Sequence, residues 1–188
     1  MPRGACARRA CRRLSSSYAE PGPAMRRVAE GRQSPPRLSS GDERVLRTIS
    51  VAGLLLMVGG LAGLLAAHSL RSRAALVIAV QAAAVALMVW ARVTFGRRSF
   101  HASADPTAGG LVTTGPYRFV RHPIYTAVCV FAVAGACAHA SFIAAGLVLL
   151  VLAGSLARIL AEERLLLQRY PEHASYAATT KRVVPRVF

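Results

Sequence analysis

Residues 124–157 read IYTAVCVFAVAGACAHASFIAAGLVLLVLAGSLA, 34 consecutive positions without an Asp, Glu, Lys or Arg. As one helix they would extend about 51 Å, against roughly 30 Å of hydrocarbon in a bilayer. The run therefore reads as a helical hairpin that turns near 136–141, where His139 and Ser141 are its most polar residues. Pro123 stands just ahead of it, where proline suits a first helical turn.

Working outward, two further apolar runs precede the hairpin. Residues 48–70 carry no charge apart from His68, and their 23 positions suffice to cross a bilayer. Residues 74–91, 18 positions long, stand near the lower limit for a span. Gln81 within that run reads as an interhelical hydrogen-bonder, and Trp90 near its end as an interfacial aromatic. The apolar fraction of 54% and the mean hydropathy of +0.40 agree with membrane residence. The charge pattern does too. There are 24 basic residues against 8 acidic ones, and residues 1–47 hold 11 of the basic residues, all Arg. A net charge of +16 raises nucleic acid as a partner, but no basic stripe interleaved with aromatics supports it.

The expected architecture is an all-α integral membrane protein with about four transmembrane helices, the last two forming the hairpin. A cytosolic C-terminal helix and an extended lid would follow. The Arg-rich segments are the N-terminus, residues 92–123 and the stretch after Arg158, so the positive-inside rule puts both termini in the cytosol, in a bacterial inner membrane. Residues 1–46, rich in Arg, Ser, Pro and Gly, read as a disordered tail, and residues 47–188 as the membrane domain. The tail also has the composition of a mitochondrial transit peptide, but composition alone is weak evidence of targeting, so the reading taken is an unstructured bacterial tail or an overextended start with Met25 as initiator. Cys6, Cys11, Cys129 and Cys137 have neither paired spacing nor His partners, so no metal site and no disulfide framework is read.

Two polar blocks carry candidate chemistry. The first, residues 111–125, reads LVTTGPYRFVRHPIY. Gly115-Pro116 is a turn signal, and Pro123 opens a helix whose free N–H groups and positive dipole end suit an anion beside Arg121 and His122. Taken singly, Arg118 and Arg121 read as headgroup anchors, His122 as an N-cap, and Tyr117 and Tyr125 as interfacial aromatics. Their density in one block does not. The second block, residues 158–164, reads RILAEER; Arg158 and Glu162 stand four apart and share a helix face. An ordinary solvated Arg–Glu pair is the plainer reading there. Beyond it come Tyr170, Tyr176, Lys181 and Arg182, with His173 read as exposed.

The sequence Leu111-Val-Thr-Thr-Gly-Pro-Tyr117, then Arg121-His-Pro-Ile-Tyr125, Glu162-Glu163, Tyr176 and Arg182-Val-Val-Pro185, resembles the isoprenylcysteine carboxyl methyltransferase family. Its wider group includes phospholipid N-methyltransferases and methanethiol S-methyltransferase-like proteins. The resemblance spans roughly residues 45–188 and implies S-adenosyl-L-methionine as cofactor, held at the cytosolic face under a C-terminal lid. It implies a lipidic or isoprenylcysteine-type acceptor, or a small molecule, entering from the bilayer. Position by position, it implies that Gly115, Tyr117, His122, Pro123, Tyr125, Glu162 and Glu163 bind the cofactor. Arg158 and Arg121 are implied to handle a carboxylate. Eukaryotic members commonly have more spans, and the tail at 1–46 matches nothing in the family. The alternatives are N- or S-methylation of an amine or thiol, a membrane NADPH-dependent enone or sterol reductase, and a small membrane scaffold without enzymatic activity.

Overall fold

In a computed structural model of the chain, residues 38–96, 111–170 and 172–183 are described. Five α-helices and one 3-10 turn make up their regular structure, with no strand among the described residues: α1 (Ser40–Ala66), α2 (Ala75–Phe95), the 3-10 turn Gly115–Arg118, α3 (Pro123–Cys137), α4 (Phe142–Arg169) and α5 (His173–Thr179).

Helix α1 starts earlier than composition indicates. Ser39 caps it, with its hydroxyl taking the Asp42 N–H at 3.2 Å while the Asp42 carboxylate takes the Ser39 N–H at 3.1 Å. Asp42 and Glu43 sit in the first turn, where the helix dipole favours negative charge. Ser40 to Leu46, which composition assigns to the tail, are therefore helical. Residues 1–37, and with them the rest of the expected tail, lie outside the described residues, as do Val184 and Pro185.

Helices α1, α2 and α4 are each long and apolar enough to cross a membrane. Their outward apolar surface is extensive: in α2 only 11% of the most apolar stretch is buried. Leu76, Val93 and Phe142 stand in the open. A contiguous surface of this kind is solvated by lipid. Helix α3 is also apolar but has only 15 residues, about 22 Å. Three of the four expected helices thus reach spanning length, and α3 falls short of it.

The uncharged run does divide between α3 and α4, at residues 138–141. Ala140 adopts a positive φ of 44° there, and the His139 ring donates from Nδ1 to the Gly135 carbonyl at 3.0 Å, satisfying an end carbonyl of α3. Ser141 caps α4.

Helix α4 packs against α1 and α3, and α2 packs against α3. The α1–α4 contact is a backbone contact. A Cβ at Gly154 would lie 2.5 Å from the Gly53 carbonyl, and one at Gly60 would lie 2.9 Å from the Leu147 carbonyl. Small residues permit this approach, and between membrane helices close packing supplies the attraction that water supplies elsewhere. Leu64, Val128, Ala132, Ala144, Val148 and Val151 fill the core where α1, α3 and α4 meet. Gln81 of α2 donates to the carbonyls of Leu70 (3.0 Å) and Phe131 (3.5 Å), the interhelical role its place in an apolar run implies.

Candidate functional site

The polar end of this bundle is built from the two sequence blocks and the segment after α5. Gly115 opens the 3-10 turn at a φ of +59°, and a Cβ there would meet the Thr94 hydroxyl at 2.7 Å, so glycine is required on both counts. The turn delivers Tyr117 to a buried position against Phe95, with ring centroids 5.6 Å apart. Burial pushes the Tyr117 phenol above its usual range. An open cavity of about 460 Å³, lined in part by Thr94, Phe95 and Leu111, adjoins this turn.

Past the turn the chain extends, and Val120 pairs in parallel with Lys181. The N–H of Arg121 donates to the Lys181 carbonyl at 2.8 Å, and that of His122 to the Arg182 carbonyl at 2.9 Å. The Thr126 hydroxyl reaches the Val183 carbonyl at 2.9 Å. Pro123 then begins α3 as its first residue. His122 occupies the N-cap position, yet its side chain makes no capping bond. The ring turns instead toward α4, with Nδ1 3.7 Å from Glu162 Oε2 and Nε2 3.4 Å from Glu163 Oε1. Nε2 is buried and makes no well-formed hydrogen bond.

Helix α4 brings three ionisable residues to this point. Glu163 takes Arg121 Nε at 2.9 Å and Nη2 at 2.8 Å on one oxygen, and Arg182 Nε at 2.6 Å on the other. Arg121 Nη1 donates to the Ala177 carbonyl at 3.0 Å and to that of Thr180. Arg158 donates from Nε to the Tyr125 hydroxyl at 2.7 Å, from Nη1 to the Ser50 carbonyl at 3.3 Å and from Nη2 to Glu162 at 3.2 Å. The Tyr125 hydroxyl in turn donates to Glu162. The expected Arg158–Glu162 pairing on one helix face is present. It points inward, as costly charges at the end of a span must.

Arg121, His122, Tyr125, Arg158, Glu162 and Glu163 therefore form one cluster. Pro123 sets its helix, and Tyr117 is tied to it by the Tyr176 hydroxyl, which donates to the Tyr117 carbonyl. Gly115 stands apart against Thr94. Neither arginine offers a free fork: side-chain exposure is 9% for Arg121 and 6% for Arg158, and each is bonded within the chain through all three nitrogens.

Sequence reasoning overlooked Ser50, Thr180 and the docking role of Arg182. It also placed His173 in solvent, whereas the ring is 2% exposed, with Nδ1 unpartnered and its edge against Tyr176. The short helix α5 folds back onto the cluster and carries His173 inward. Desolvation holds the imidazole below its usual pKa; Glu163 opposes that shift, and Arg121 and His122 reinforce it. Burial pushes the Tyr176 phenol up to about 12.

The model of the isoprenylcysteine carboxyl methyltransferase (ICMT) family matches residues 73–168, just over half of the chain. No curated protein and no solved structure matches it.

Proposed function

The chain belongs to the isoprenylcysteine carboxyl methyltransferase family, a family of membrane methyltransferases, and on that footing we propose that it transfers a methyl group from S-adenosyl-L-methionine to a carboxylate on a lipidic acceptor. The observation that carries this reading is the convergence of two blocks, 121–125 and 158–163, on one buried ionic cluster at the polar end of apolar helices.

The residues present fit the cofactor. Glu162, with a side chain 20% exposed, suits an ammonium group. Pro123 has no N–H, and the N–H groups of Ile124 and Tyr125 that follow it cannot be bonded within the helix and suit a carboxylate. His122 Nε2, buried and 3.4 Å from Glu163 Oε1, is a further polar atom facing the cluster. On this reading His122, Pro123, Tyr125 and Glu162 line the cofactor, and Gly115 and Tyr117 shape the neighbouring wall. Glu163 belongs to the same wall.

When bound, S-adenosyl-L-methionine supplies an electrophilic methyl group on a sulfonium. A carboxylate acceptor is already ionised at neutral pH, its reference pKa being about 4, so the protein need not remove a proton from it. Its task is alignment and exclusion of water. Arg158 and Arg121 would favour an anionic acceptor by their field, since their donors are engaged within the chain. An amine or thiol acceptor would instead call for a proton acceptor, and Glu162 is the more open carboxylate.

The arrangement in the membrane is part of the proposal: four crossings, α3 completing the set, with both termini cytosolic. The Arg-rich stretches flanking the apolar runs support it. A reporter fused at residue 139 should read external, and a cytosolic reading there would overturn the topology.

The direct test is calorimetry of detergent-purified protein with S-adenosylhomocysteine and, separately, NADPH, followed by methyl transfer to carboxylate, amine and thiol lipids. Binding of S-adenosylhomocysteine and methylation of the carboxylate lipid are expected. Binding of NADPH alone would favour a reductase, and binding of neither a scaffold.

A further inference from the structure

Glu162 and Glu163 are neighbours in sequence, and on a helix their side chains diverge by about 100°. The fold sends them into different company. Glu163 has a side chain 8% exposed, and both its oxygens are taken by guanidinium groups, Arg121 on one and Arg182 on the other. Those two arginines belong to the two chain segments that pair through Val120 and Lys181. Glu163 thus stands where α4, the start of α3 and residues 180–183 are joined. A carboxylate held by two guanidinium groups keeps little attraction for a third cation, and withdrawing it would leave buried charge uncompensated.

Glu162 differs. Its Oε1 takes the Tyr125 hydroxyl and Arg158 Nη2. Its Oε2 has His122 Nδ1 at 3.7 Å, beyond hydrogen-bond length. Its side chain is more than twice as exposed as that of Glu163.

We propose that Glu163 is a positioning residue that fastens residues 180–183 to the start of α3, and that the ammonium group of the cofactor is thereby left to Glu162 alone, the role already given it above. The second half rests on the S-adenosyl-L-methionine reading above. The first half concerns a segment that lies beyond the family match, which ends at residue 168.

The test uses the full chain in detergent and compares Glu163→Gln, Arg182→Gln and Glu162→Gln with the parent. The first readout, without cofactor, is amide exchange at Arg121 and His122, whose N–H groups donate to the Lys181 and Arg182 carbonyls. The second is affinity for S-adenosylhomocysteine by calorimetry. Glu163→Gln and Arg182→Gln should speed exchange at those amides by about tenfold or more, because the docked segment opens more often. Glu162→Gln should leave exchange at the parental rate and weaken S-adenosylhomocysteine about tenfold or more, the loss of one charge-assisted bond. If Glu163→Gln fails to fold, Arg182→Gln decides the first half alone, since Arg182 is 35% exposed and its removal leaves Glu163 with Arg121. Parental exchange in both Glu163→Gln and Arg182→Gln overturns the positioning role, and parental affinity in Glu162→Gln overturns the contact role. A parent that binds no S-adenosylhomocysteine overturns the cofactor reading and the role of Glu162 with it, while exchange still decides that of Glu163.

Discussion

Within α4, the stretch around Gly154 and the stretch from Arg158 to Glu163 hold their neighbours by opposite means. Around Gly154 there is almost no side chain: the backbones of α1 and α4 touch, and the Gly53 and Gly154 carbonyls each occupy the space a Cβ would need on the other helix. One turn further on, long charged side chains span the gap, and Arg158 reaches the Ser50 carbonyl of that same α1. The difference follows the surroundings. In lipid, apolar contact between helices displaces nothing less favourable than itself, so association relies on fit. At the polar end, buried charges must find partners, and each pairing specifies which segments meet.

The largest effect should come from breaking the ionic end. Arg158→Ala removes a buried cation and leaves the Tyr125 hydroxyl, Glu162 and the Ser50 carbonyl each without the donor it supplied. Breaking a buried pair in this way costs about 3–5 kcal/mol, and thermal unfolding in detergent should show it. Arg158→Lys keeps the charge but loses the planar fork that joins Tyr125, Glu162 and Ser50 at once. It should fold, because the charge is kept, and it should weaken S-adenosylhomocysteine and slow methylation, because the fork positions Tyr125 and Glu162 of the proposed cofactor wall. A Lys variant with full turnover would show that the fork is dispensable.

A smaller effect is expected at the glycine contact. Gly154→Leu would place a Cβ 2.5 Å from the Gly53 carbonyl and must force the two backbones apart, an overpacking cost of about 1–3 kcal/mol. The same change at Gly146, which has open space around it, should cost little, so the two unfolding midpoints form an internal control. Equal midpoints would mean that α1 and α4 are not held by close approach.

The smallest effect is at the rim of the ionic end, where His173 is buried. Its pKa in the folded chain lies below the usual 6.5, chiefly from desolvation. Above that pH the ring is neutral in both the docked and undocked states. As pH falls below about 6.5 the undocked state takes up a proton that the docked state resists, so docking of α5 weakens with falling pH. Exchange protection of residues 172–183 should therefore decline from pH 7.5 toward pH 5, and His173→Asn should flatten that decline. A parent and a variant with the same pH profile would remove His173 from the account.

Much of this molecule was legible in the linear chain. Hydropathy and charge are local properties, so the apolar runs, the break near 136–141, the opening of α3 at Pro123 and the role of Gln81 could all be read there. So could the two blocks that build the buried ionic cluster, because their unusual density of Gly, Pro, Tyr, Arg, His and Glu needs no neighbour to be noticed. The start of α1 at Ser40 was also present in the chain as a capping box, masked by the composition around it. Other features were not local. Whether Glu162 or Glu163 is the more enclosed depends on which side of α4 faces α3. Whether His173 meets water depends on α5 folding back. The partners of Glu163 come from 42 and 19 residues away along the chain. Adjacent glutamates are chemically identical until packing surrounds one with two guanidinium groups and leaves the other an outer oxygen, and that asymmetry exists only in three dimensions.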